Sequence, residues 1–165
     1  MERELQLINA MIDERLLVAQ QSKRLRSLST IVNNFQDLSQ HYLGHIDCDV
    51  AWDVHVGMAE LKGRLVDWAP IERVMNNLFK NIYESGAHYC RFKMYLTKRN
   101  FHVRILNNFN YFDDEDTDGG LGIQSINKCL KAIGGSYRYS GEGNFWHGHL
   151  VLPTYLRDEE NFLAA

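Results

Sequence analysis

Proline is almost missing from this chain of 165 residues: only Pro70 and Pro153 occur, and no glycine falls between Glu2 and Leu43. Nothing in the backbone chemistry therefore interrupts a helix in the first quarter. Cysteine is scarce as well. Cys48, Cys90 and Cys129 are odd in number, far apart and without CxxC spacing. That excludes a disulfide framework and a cysteine zinc site, and makes a reducing cytoplasm the expected setting. Positive charge is not in excess: 18 basic and 21 acidic residues leave a formal net charge of -3, so no global field favours nucleic acid. No apolar run approaches a membrane span, and MERELQLINAMIDER is too acidic and too interrupted for a signal peptide. What is present, 45% hydrophobic and 24% charged residues, fits one globular domain with a sizeable core.

The first segment reads as a long helix. Leu25, Leu28, Val32 and Phe35 recur at alternating steps of three and four, with Tyr42 a heptad later. The same register passes back through Val18, Met11 and Leu7, interrupted by Gln21 and Glu14, and a second stripe runs through Leu5, Ile8, Ile12 and Leu16. A helix of roughly 40 residues would be about 60 Å long and would overhang any compact domain. A second copy of the helix is the expected partner for its stripe, giving a homodimer; a break near Ser22 and a folded-back hairpin is the alternative.

Beyond Gly44 the period changes. Val50, Trp52, Val54 and Val56 alternate with polar residues as in a half-buried strand. Asp67 as cap and Pro70 near the first turn then introduce a helix faced by Ile71, Val74, Met75, Leu78, Phe79 and Ile82, ending at Ser85-Gly86. HYCRFKMYLTKRNFHVRILNN predicts two strands turning at Lys98-Arg99-Asn100. After the acidic FDDEDTDGG, a helix through Leu121, Ile123, Ile126, Leu130 and Ile133 stops at Gly134-Gly135. SYRYSGEGNFWHGHLVLP predicts a closing hairpin turning at Gly141-Glu142-Gly143. Helices can then cover one face of a mixed sheet, an α+β two-layer sandwich. The expected division is a helical stalk over 1–44, a sheet-bearing domain over 45–155 and a polar tail over 156–165.

These residues resemble a known family. NNLFKNIYESGA, two strands, an acidic loop, GGLGIQSINKCLKAIGGSY and a last hairpin are similar to the catalytic domain of sensor histidine kinases, a Bergerat-fold (GHKL) ATPase, from roughly Val50 to Pro153. Val74-Met75-Asn76-Asn77-Leu78-Phe79-Lys80-Asn81 resembles the family's asparagine box, which implies that Asn77 and Asn81 face nucleotide and that Asn81 coordinates magnesium. Gly120-Leu121-Gly122-Ile123 resembles the second glycine box, which implies phosphate contacts at Gly120 and Gly122. Glycines at a helix N-terminus let backbone amides approach phosphate oxygens, in agreement with that reading.

The chain also departs from the family. Where the first glycine box DxGxG should follow HVRIL, the sequence reads Asn107-Asn108-Phe109-Asn110-Tyr111. Asn107 stands for the aspartate that accepts the adenine amino group, losing the charge-assisted bond, and Phe109 and Tyr111 stand for both glycines. Glu84 lies near the place of a basic residue and would repel a triphosphate. The phosphoaccepting histidine, within a stretch that reads roughly ALxHDLRxPL in such kinases, is replaced in VAQQSKRLRSLSTIVNNF by Lys23 and Arg24. A helical stalk with a degenerate ATPase domain also resembles histidine phosphotransferases, which keep a phosphoaccepting histidine on the helix; here the first histidines, His41 and His45, come only at its far end.

Smaller signals stand beside these. Asp114-Glu115-Asp116-Thr117-Asp118-Gly119 fits the opening of a calcium loop, but the twelfth position would be Ser125. His147 and His149 share one strand face and could hold a metal, with no third ligand to name. Lys23, Arg24 and Arg26 form a basic cluster suited to an acidic docking partner such as a receiver domain. DEENFLAA resembles a bacterial degradation tag. The resulting expectation is a cytoplasmic, dimeric, non-catalytic signalling module that binds a response regulator or kinase and no cofactor, nucleic acid or membrane. An ATP- and magnesium-binding kinase or phosphotransferase domain and a metal- or calcium-responsive binding protein are the alternatives.

Overall fold

The computed structural model describes Gln6, Ile8, residues 25–110 and residues 120–157. In chain order these form β1 (Leu25–Ser27), α1 (Leu28–Leu43), β2 (Asp49–His55), α2 (Met58–Gly63), β3 (Arg64–Asp67), α3 (Ile71–Glu84), β4 (Tyr89–Leu96), β5 (Asn100–Asn108), α4 (Gly120–Lys131), β6 (Ser136–Glu142), β7 (Phe145–Pro153) and β8 (Tyr155–Leu156). Among the described residues no helix is long and apolar enough to cross a membrane.

A five-stranded sheet in the order β2-β4-β5-β7-β6 is parallel only between β2 and β4. Alternation along its strands divides it into two faces. Cys90, Phe92, Met94, Phe101, Val103, Ile105, Leu150 and Leu152 are buried, and their neighbours Arg91, Lys93, Arg104 and His147 are exposed. Three helices cover the buried face through Ile31, Val32 and Phe35 of α1, Val74, Leu78 and Phe79 of α3, and Ile126 and Leu130 of α4. The rings of Phe35, Phe79 and Phe92 meet at the centre with centroids 5.4 to 6.4 Å apart. This is the expected two-layer arrangement. A second, three-stranded sheet in the order β1-β3-β8 was not expected.

The unbroken N-terminal helix is corrected at its C-terminal half. Leu25–Ser27 is a strand, antiparallel to Arg64–Asp67, and α1 begins after it. Ser27 is the N-cap, its Oγ accepting from the Thr30 backbone N–H at 3.4 Å. A sequence without glycine or proline permits a helix but does not compel one; here a hydroxyl cap and strand pairing outweigh propensity. The apolar stripe from Leu28 onward is buried in the chain's own core rather than kept for a second copy. The earlier stripe positions lie outside the described residues, except that Ile8 is helical and 52% exposed.

The start of α3 is also corrected. Pro70, not Asp67, is its N-cap; Asp67 belongs to β3 and its carboxylate accepts from the Ala69 N–H at 3.3 Å. Gly86 and Gly134 adopt positive φ, 69° and 74°, and stop α3 and α4 as the sequence predicts. The last turn falls at Gly143-Asn144, with Gly143 at φ 59°.

Candidate functional site

α3 and α4 pack side by side over the sheet, and that contact gathers the asparagine-box and glycine-box residues. Asn77 and Asn81 stand one turn apart on α3, Asn77 half-buried and Asn81 exposed. Gly120 opens α4. A Cβ built on Gly122 would lie 3.5 Å from Asn81 Nδ2 and 3.6 Å from its Oδ1. The structure thus brings Asn81 and Gly122 together at the first turn of a helix, where backbone N–H groups attract anions. Asn76 is structural: its carbonyl accepts from the Tyr42 hydroxyl at 3.1 Å and its amide donates to the Glu72 carbonyl at 2.9 Å. Glu84 is exposed and pairs with Lys80 at 3.8 Å, so its charge is partly offset within the helix.

Asn107 lies at the end of β5 and is 6% exposed. Its amide donates to the Asn108 carbonyl at 3.1 Å and to Ser85 Oγ at 3.5 Å. The next residues close onto the same C-terminus of α3. The Asn110 N–H donates to the Ser85 carbonyl at 3.1 Å, and its side-chain amide reaches the Gly86 carbonyl at 3.4 Å and His88 Nε2 at 3.2 Å. The Phe109 N–H donates to the Asn144 carbonyl at 3.0 Å. The ring of Phe109 packs 5.5 Å from Trp146, which packs 5.6 Å from Tyr139. Trp146 is the cross-strand neighbour of Asn107, so an aromatic wall flanks that asparagine.

Sequence reasoning missed Ser85, Asn110 and Trp146 in this cluster. Trp146 carries a readable signal: it shares strand parity with the buried Leu150 and Leu152. Ser85 carries none, because its role depends on where β5 ends in space. Tyr111, like the acidic stretch Asp114–Gly119, lies outside the described residues, as do Lys23 and Arg24. Arg26 is on β1, exposed, with Nη1 donating to the Leu25 carbonyl at 3.0 Å.

Titratable groups near the sheet are mostly structural. Burial, with Tyr139 beside it, pushes the Tyr137 hydroxyl up to about 12, and burial pushes the Cys90 thiol up, with Cys48 adding to it. Neither is a proton-transfer group at neutral pH. His147 and His149 do share a face, but His149 Nε2 is 3.0 Å from Nδ1 of His102 on the neighbouring strand. Among the described residues no group of three histidine, cysteine, aspartate or glutamate side chains could hold a metal.

No family model matches the sequence, and no curated protein matches it. Solved structures do match. Histidine kinase AdeS of Acinetobacter baumannii is similar over 92% of this chain and 80% of its own, with TM-score 0.60 and 14% identity. The nucleotide-free catalytic domain of histidine kinase ThkA is similar over 78% of this chain and 94% of its own, with TM-score 0.62 and 16% identity. Full-length ShkA, solved with AMPPNP, is similar over 80% of this chain but only 31% of its own, with TM-score 0.63 and 16% identity. The chain has the fold of histidine kinase catalytic domains.

Proposed function

We propose that this chain is a regulatory protein of the two-component type that keeps the kinase catalytic fold, does not turn over ATP, and acts by binding a protein partner. It works in the cytoplasm, paired with a second copy through the segment before β1. On this reading the basic residues Lys23, Arg24 and Arg26 attract such a partner, a response regulator or a kinase. The observation that carries the reading is the closure of Asn107–Asn110 on the end of α3. An adenine amino group needs a strong acceptor and open space beside it. Here the acceptor is an uncharged amide whose N–H bonds go to Ser85 and Asn108, and Phe109 against Trp146 takes the place of a glycine.

The contact of Asn81 with Gly122 favours a second reading, an ATP-binding domain with Mg²⁺ on the Asn81 carbonyl oxygen and phosphates at Gly120 and Gly122. The Asn81–Gly122 contact supports this reading, and the Phe109–Trp146 packing beside Asn107 supports the first. Calorimetric titration of ATP with Mg²⁺ separates the two. The expected outcome is no saturable binding in the micromolar range. Micromolar binding that disappears in Asn81→Ala would establish the second reading instead.

A further inference from the structure

The face of the five-stranded sheet that the helices leave open carries several basic side chains. Strand register lines up its side chains in rows. Lys93 on β4 is directly opposite Arg104 on β5, Arg104 is opposite His149 on β7, and His149 is opposite Arg138 on β6. Strands lie about 4.8 Å apart, so this row runs about 14 Å across the sheet. The adjoining row adds Arg91 and His147. Arg91, Lys93, Arg104, Arg138 and His147 are all exposed. A shallow recess of about 250 Å³ opens among Arg91, Lys93, Arg104 and His147.

Like charges placed directly opposite each other on neighbouring strands destabilise a sheet. The relief described is partial: Asp53 is directly opposite Lys93 on the other side, and Arg104 lies 5.8 Å from the centre of the Tyr95 ring. Among the described residues, Arg91 meets Asp53 at 3.2 Å, but no carboxylate lies within 4 Å of Lys93, Arg104 or Arg138. This concentration stands on a protein of net charge -3, so it is local. We infer that the open sheet face is a docking surface for a partner protein that presents a compact acidic patch.

The surroundings select that partner over a nucleic acid strand. Carboxylates bracket the basic rows: Asp49 and Asp53 on β2 at one edge, and Glu142 on β6 at another. A long polyanion would run off the cations onto these groups, whereas a carboxylate patch of matching size would not. Between the cations stand Tyr95, Leu106 and Val151, half-buried, and arginine mixed with tyrosine and aliphatic side chains is the composition of a protein interface. The inference deepens the partner-binding reading and rests on it only for the class of ligand. Its test is independent of the nucleotide titration: ATP binding at Asn81 would remove the non-catalytic reading and leave this surface untouched.

The experiment is fluorescence anisotropy with a labelled poly-glutamate peptide and, separately, a poly-dT oligonucleotide of equal charge, at two salt concentrations. The full chain is compared with the charge-reversed Arg91→Glu/Arg104→Glu/Arg138→Glu and with Lys128→Glu/Lys131→Glu on α4. Lys93→Gln/Arg104→Gln serves if the triple reversal does not fold by circular dichroism. The expected result is salt-sensitive peptide binding that weakens about tenfold or more in the sheet-face variants and stays within about twofold in the α4 variant. Equal peptide binding by all proteins overturns the inference. So does tighter binding of the oligonucleotide, or a loss of self-association in the sheet-face variants by sedimentation, which would make a second copy the occupant.

Discussion

The side chains with the most to say about protonation are His102 and His149. They stack with centroids 5.2 Å apart and share a contact between ring nitrogens, while Thr97 Oγ1 holds His102 Nε2 at 2.7 Å. Burial, with Arg104 adding to it, lowers the pKa of His102. Burial, then His102, Arg104 and Arg138, lower that of His149. Among the described residues no carboxylate pairs with either ring within 4 Å. In the unfolded chain both imidazoles titrate near 6.5. As pH falls through that value the unfolded chain takes up protons that the folded pair resists, so stability present above about 6.5 is lost toward the folded pKa values. Urea midpoints at about pH 7.5 and about pH 5.5 measure this. The wild-type midpoint should fall more steeply than that of His102→Gln/His149→Gln; parallel declines would show that the pair does not carry the effect.

Among elements, α1 teaches why one part of the fold was legible and another was not. Its apolar period was readable, and Leu28, Val32 and Phe35 are buried as a face. Its start was not, because Leu25–Ser27 becomes a strand only through pairing with Arg64–Asp67, forty residues away in a segment whose own strand signal is short. The same logic hid β8, which exists only where Tyr155 and Leu156 meet β3. The central strands and α3 needed no distant information, since alternation and helical period are local. The asparagine and glycine boxes were read from their resemblance to a family, and the Ser85–Asn107–Asn110 closure was not legible, being a meeting of two element ends. Replacing the cap, Ser27→Ala, should lower unfolding free energy by about 1 kcal/mol in chemical denaturation. Phe35→Ala, which empties a wholly buried site against Phe79 and Phe92, should cost about 3–5 kcal/mol. A smaller loss in Phe35→Ala than in Ser27→Ala would mean that α1 is held mainly by its cap rather than by its core face.

At the scale of the whole molecule, the helical layer and the open sheet face divide the work. Everything that resembles nucleotide-handling machinery lies on the helical side, at the α3–α4 contact and the end of β5. The basic rows lie on the other, so a partner seated there need not compete with anything held at Asn81. Pairing with a second copy is assigned to neither side. The second half of the stripe that suggested it is consumed by the chain's own core, so the proposed pairing rests on the segment before β1. Removing residues 1–24 therefore separates folding from pairing. The shortened protein should unfold cooperatively with an unchanged m-value per residue and sediment as a monomer, while the full chain sediments at twice its 19.2 kDa. A full chain that sediments as a monomer would remove the pairing, and a shortened chain that still pairs would move it to the described domain, where β2 and β6 are the outer strands of the sheet among the described residues and offer backbone groups to do it.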